Sequence, residues 1–313
     1  MRPQDAWKNF NLGDELSIAG TFIYNGLRRF HEMRSLDHTD EIFEFFYNLS
    51  VGLERLLKIV VVLLEHNDKT DQEALEKSLI THNHVDLLNR IKSHTKLNFG
   101  DPHIAILSLL SKFYISHRYD RFSLNSIFSM DKERESLYAF LNKFLNVEIE
   151  QDSMGLFATK NEDRYRQFIR RTVIKISNSL YEIIRDRAHD LNIYTYEVRY
   201  GSRAFTVFLG EADVPTEEVL WKELLIFFMN SNADTGLFNF LKDIQPLEFD
   251  PAEAQEYLQC FESDSAKSYV VDTLEHLYGE LDKDERKERL EKMSVLGDPS
   301  VYFPEDDEED TDY

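Results

Sequence analysis

Between Asp40 and Glu65, apolar side chains recur at three- and four-residue intervals: Phe43, Phe46, Leu49, Leu53, Leu56, Leu57, Val60 and Leu64. That period lines one side of an α-helix, and acidic Asp40, Glu41 and Glu44 suit its positive N-terminal end. A helix this long commits the region to helix-on-helix packing, and the flanking sequence keeps the same period. Leu16, Ala19, Ile23, Leu27 and Phe30 predict a helix over 14–34. Thr70-Asp71-Gln72-Glu73 fits a capping box that opens another. Asn83 caps a short helix carrying Val85, Leu87, Leu88 and Ile91. Asp101-Pro102 reads as an N-cap with proline at the first helical position, leading through Ile104, Leu107, Leu110 and Tyr114 to the neighbourhood of Arg118. One more helix covers 131–145. With 11 Gly and 7 Pro in 313 residues, the chain lacks the turn density of a sandwich or barrel.

Asp152 to Asp163 has little periodicity and reads as a linker. The next helix is strongly amphipathic: Ile169, Val173, Ile176, Leu180, Ile183 and Leu191 share one face, while Arg164, Arg171, Lys175, Glu182, Arg185 and His189 share the other. Arg187 falls on the apolar face, where it has to be paired or reach outward. Ile193–Arg199 and Ala204–Leu209, rich in β-branched and aromatic residues around Gly201-Ser202, predict a β-hairpin near 193–209. Helices follow near 216–230, 251–262 and 265–293, and the acidic run Glu305–Asp310 predicts a disordered tail. The expected fold is mainly α: a helical bundle over 1–150, a second mainly helical domain with one hairpin over 163–303, and an acidic tail over 304–313.

The net charge of −22 is unevenly placed: residues 211–313 hold 29 acidic and 8 basic side chains, whereas 1–210 hold 29 and 28. The acidic balance argues against non-specific nucleic-acid binding by the C-terminal third, while the near-neutral remainder keeps that option. Cys260 is alone, so no intramolecular disulfide or cysteine-built zinc site exists, and a reducing cytoplasm is expected. The N-terminus shows no apolar h-region of a signal peptide. The most apolar run, Ile59–Leu64, is far below the about 20 residues of a membrane span, so no membrane partner is expected.

Three segments carry a family resemblance. Gly52-Leu53-Glu54-Arg55-Leu56-Leu57-Lys58 lies in the long apolar helix, Thr81-His82-Asn83-His84-Val85-Asp86-Leu87-Leu88 opens a short one, and Phe113-Tyr114-Ile115-Ser116-His117-Arg118-Tyr119 ends a third. In this order they resemble the HEPN family of helical-bundle domains, over roughly residues 14–145. The resemblance implies a helical bundle and a setting in bacterial toxin–antitoxin or anti-phage systems. Ribonuclease members carry an arginine separated from a histidine by four to six residues. Here Arg34/His38, Arg90/His94 and Arg185/His189 each have three intervening residues, and His117-Arg118 is adjacent and reversed. The resemblance thus implies the fold more than the nuclease. If the chain is a nuclease, His117, Arg118, Arg185 and His189 are the candidates.

Residues 164–203 hold nine basic and four acidic side chains. The stripe of Arg164, Arg171, Lys175 and Arg185 is a candidate phosphate contact for nucleic acid or a nucleotide. The preferred reading is a solvated face or a dock for the acidic third. His82 and His84, with His94 or His103, are weak metal candidates, since no cysteine or HExxH spacing joins them. No P-loop, GxGxxG or GxSxG occurs, and neither cofactor nor metal is expected. The function expected is a non-catalytic binding or regulatory component with a protein partner or homodimer, and with nucleic acid or nucleotide as further ligands. The alternatives are a metal-independent ribonuclease with unorthodox Arg/His spacing and an acidic DNA-mimic decoy.

Overall fold

The structure, a computed structural model, describes residues 2–303 apart from 121, 123, 125–131, 150–157, 194–195, 199–201, 210–213, 234 and 262–263. It is mainly helical, with no strand among the described residues. The chain divides into two units, Met1–Val214 and Pro215–Tyr313.

Unit 1 contains the helices Leu12–Glu32 (α1), Thr39–Glu65 (α2), Gln72–Ser78 (α3), His84–His94 (α4), Asp101–Lys112 (α5), Lys132–Leu145 (α6), Asp163–Asp190 (α7) and Arg203–Phe208 (α8). Two short turns of helix over 3–11 lead into α1, and a π turn, Phe113–His117, continues α5. The caps follow from side chains. Asn83 Oδ1 accepts from the N–H groups of Val85 and Asp86, and Asp71, one residue after the expected Thr70, caps α3 by accepting from Ala74 N–H.

Helix α2 is the centre of the unit, buried on nearly every side from Phe45 to Leu63. Against it lies α1, antiparallel and in close backbone approach. A Cβ on Gly52 would sit 2.7 Å from Ile23 Cγ1 and 2.9 Å from Ile23 N, and one on Gly26 would sit 2.7 Å from Leu49 Cδ2. Glycine is required at both places because the space is already taken.

Helix α7 belongs to this same core. Ile169, Val173, Ile176 and Leu180 are buried, as the amphipathic period requires. Arg187 donates from Nε to the Leu63 carbonyl (3.3 Å) and pairs with Asp190 (3.0 Å). The start of α7 is tied to the end of α1. Asn161 Nδ2 donates to the carbonyls of Phe30 and Met33, at 2.7 and 3.1 Å, satisfying acceptors left over at a helix C-terminus. Asp37 accepts from Thr159 N–H, Ser35 Oγ and the Tyr138 hydroxyl. Burial alone would raise the Asp37 carboxyl, but these donors outweigh it and hold it below its ordinary range. The segment Asp152–Asp163, expected to link two domains, therefore lies inside unit 1, with residues 152–157 outside the described ones.

Where the described residues cover the predicted β-hairpin, they form helical turns. Tyr196–Val198 forms a 3-10 turn, and Arg203–Phe208, overlapping the predicted second arm, is α8. Ser202 Oγ accepts from Phe205 N–H (3.1 Å), an N-cap that a strand would not use. Ala204, Phe205, Val207 and Phe208 share one helical face as well as strand-like composition, and that face packs on α1, with the Ala204 backbone at Gly20. The expected turn residue Gly201 lies outside the described residues.

Unit 2 contains Val214–Asn230 (α9), whose first residue closes unit 1, then Gly236–Asp243 (α10), Ala254–Gln259 (α11), Asp264–Glu280 (α12) and Lys283–Ser294 (α13). The single helix expected over 265–293 is two, because Asp282 accepts from the N–H groups of Asp284 and Glu285 and starts a new one. Beyond Phe208, no side chain among the described residues is buried. The expected acidic tail from 304 onward lies outside the described residues. Among the described residues, no helix is long and apolar enough to cross a membrane.

Candidate functional site

A buried histidine organises the site. His84 Nε2 donates to the Ser50 carbonyl in α2 (2.8 Å), while its backbone N–H donates to Ser111 Oγ in α5 (2.9 Å) and its Nδ1 lies 3.2 Å from the same hydroxyl. Burial pushes its pKa below the ordinary histidine value, so it is a neutral pin joining three helices. Pinning His84 places His82, two residues earlier, over α2.

There His82 meets Glu54. This glutamate stands on an otherwise apolar side of α2 and is nearly buried, so its charge requires partners. Its Oε1 lies 2.6 Å from Lys58 Nζ and its Oε2 lies 2.9 Å from His82 Nδ1. His82 itself keeps 49% of its side chain exposed. With Nδ1 engaged by the Glu54 carboxylate, Nε2 is the ring nitrogen left to hydrogen-bond a ligand.

The π turn after α5 completes the cluster; such turns recur at functional sites. The Tyr114 ring centroid is 4.7 Å from that of His82, and the Arg118 guanidinium carbon lies 3.9 Å over the Tyr114 ring. Tyr47 stacks on Tyr114 at 6.2 Å. Burial raises the Tyr114 phenol above its ordinary value against the opposing pull of Arg118, so it stays a neutral hydroxyl. Arg118 Nε is buried without a hydrogen-bond partner among the described residues. Imidazole, guanidinium and aromatic face thus meet at one place, on α2, the loop before α4 and the turn after α5. This combination suits a ligand with a phosphate and a planar base.

The other sequence candidates are more scattered. His117 is buried, beside Arg118 in sequence. On α7, Arg171, Lys175, Arg185 and His189 are exposed, and the Arg185 guanidinium carbon lies 5.9 Å from the Phe205 ring centre. Arg164 is engaged by Glu162 (2.7 Å) and lines an open hollow of about 420 Å3 with Asn146, Lys160 and Tyr165. Among the described residues, no group of three or more His, Cys, Asp or Glu side chains is placed to hold a metal ion.

Glu54 and Tyr114 are absent from the sequence-derived site residues and His82 figures there only as a weak metal candidate, although all three lie in the segments that carry the resemblance. One signal was present: a carboxylate in the apolar run from Val51 to Leu57 has to find a partner. Comparison with protein-family models, curated proteins and solved structures gives no match for this chain.

Proposed function

We propose that the chain is a binding or regulatory component that acts through protein contacts and takes a phosphate-bearing ligand, RNA or a nucleotide, at the His82–Tyr114–Arg118 cluster. The observation that carries this reading is the meeting of His82 and Arg118 on the Tyr114 ring. A guanidinium beside an aromatic face and a carboxylate-backed imidazole gives charge for phosphate, a surface for a base and a ring nitrogen to hydrogen-bond it. The basic stripe of Arg164, Arg171, Lys175 and Arg185 is a second, less structured phosphate contact. The bacterial defence or toxin–antitoxin setting rests on the HEPN resemblance alone.

Titrating the full chain with single-stranded RNA and with ATP, followed by anisotropy or calorimetry, tests the site. Arg118→Ala and His82→Ala are each expected to weaken binding by about tenfold, or ~1.4 kcal/mol, while preserving the helical spectrum. Affinity unchanged in both variants, but lost in Arg171→Glu/Lys175→Glu, would move the site to α7.

The Glu54–His82 pair favours a second reading, metal-independent ribonuclease, because a carboxylate-backed imidazole is a general acid–base group. The missing Arg-x4–6-His spacing weighs against it. RNA cleavage in chelator that disappears in His82→Ala would establish the enzyme; binding without cleavage supports the first reading.

A further inference from the structure

Helix α9 is apolar around its circumference. Over residues 219–229, Val219, Leu220, Leu224, Leu225, Ile226, Phe227, Phe228 and Met229 stand at angles that leave no polar face, interrupted only by Lys222 and Glu223, while Glu217 and Glu218 precede this run. A helix of this composition is normally surrounded by protein or lipid. Within unit 2 all eight side chains are exposed, with Ile226 at 56% and Met229 at 76%. Part of the helix has aromatic neighbours inside unit 2: Trp221 stacks on Phe261 at 4.9 Å, and Phe238 lies 5.8 and 5.9 Å from Phe227 and Phe228. These contacts do not close over it. The apolar run is also too short to span a membrane, which takes about 20 residues.

Charge selects among the surfaces that can cover it. Residues 211–313 carry 29 acidic and 8 basic side chains, so a second copy would bring a strongly negative segment against another of the same sign. A partner whose apolar side chains are flanked by lysine and arginine meets the opposite sign, which steers association and suppresses wrong partners. We propose that α9 is the docking element for a basic, amphipathic segment of another protein. This deepens the proposed reading by naming the class of its protein contact. It stands on unit 2 alone, so loss of ligand binding at His82 would leave it untouched.

The probe is a synthetic helical peptide of leucine and lysine, titrated against the full chain by anisotropy. Two control peptides accompany it, one with the leucines replaced by serine and one with the lysines replaced by glutamate. The leucine–lysine peptide is expected to bind, with each control weaker by about tenfold or more. Ile226→Ser/Met229→Ser, which leaves the charge unchanged, is expected to weaken the complex by about tenfold while RNA binding by unit 1 is unaltered. Rising salt should weaken the complex. Equal binding of the serine control would overturn the proposal in favour of charge alone, as an acidic decoy requires. A dimer of the full chain that strengthens with salt and excludes the peptide would identify a second copy as the occupant. Absence of peptide binding, with α9 amides protected from exchange in the monomer, would also overturn it.

Discussion

Phe46 in α2 and Phe227 in α9 both sit in aromatic-rich, apolar helices, yet the first is 1% exposed and the second 53%. Composition does not separate them; neighbours do. Helix α2 is enclosed by α1, α4, α6 and α7, and its residues form one continuous core with theirs. Along unit 1 that core runs on to Phe208, with Leu209 packed against it. Unit 1 thus closes its apolar surface upon itself, while unit 2 holds comparable residues in helices whose described side chains remain at least partly open. Burial rather than apolar content supplies the hydrophobic stabilisation, so the two units should answer differently to the same perturbation.

The largest expected difference comes from truncating a core ring. Phe46→Ala should lower unfolding stability by about 3–5 kcal/mol in urea titrations, as cavities in closed cores do. Gly52→Ala should cost about 1–3 kcal/mol, because its new methyl meets Ile23 Cγ1 and also the Ile23 backbone nitrogen, which cannot turn aside as a side-chain end can. A stable Gly52→Ala protein with an unshifted midpoint would show that the α1–α2 contact is looser than described.

Acidification should also act mainly on unit 1. His84 is buried and neutral, with its folded pKa depressed below the ordinary 6.5. The unfolded chain therefore binds that proton first as pH falls below about 6.5, and stability declines there by up to ~1.4 kcal/mol per pH unit. His66, lowered by burial and then by Lys8, adds to the same window. Asp37, whose folded pKa is also depressed, adds a further loss as pH falls below the ordinary 3.8. Urea midpoints at pH 8 and pH 5 measure the histidine part, and His84→Gln should flatten it. The smallest effect is expected in unit 2, where Leu274→Ala should stay within about 0.5 kcal/mol, since its side chain is already exposed. A loss there as large as that of Phe46→Ala would erase the contrast.

The contrast was partly legible in the sequence. The step in charge after residue 210 falls close to the division at Val214, while the weakly patterned 152–163 stretch does not mark it. Asn161, Asp37 and Thr159 explain why: their hydrogen bonds join segments more than a hundred residues apart, which periodicity does not register. Helices α1, α2 and α7 were readable because long amphipathic periods leave few alternatives. Helix α8 was not, because Ala204, Phe205, Val207 and Phe208 suit a strand's composition and a helix's face alike, and the Ser202 cap decided between them. Helix α10, Gly236–Asp243, went unassigned because it is short and opens with glycine. The Glu54–His82–Tyr114–Arg118 cluster was hidden for another reason. Its members meet only once His84 is buried, so the separate segments were visible and their meeting point was not.

The two glycine contacts also bear on how unit 1 can move. Ile23 is seated at Gly52 and Leu49 at Gly26, so α1 and α2 are keyed at two points along their length. Sliding one helix past the other by a turn, about 5.4 Å, would lift both residues from their seats at once and press them against neighbours that carry side chains. Translation along this pair is therefore the costly direction of motion. The proposed ligand site at His82 adjoins the His84 loop and the π turn after α5, which lack such glycine seats, with the α1–α2 pair as the stiffer frame behind them.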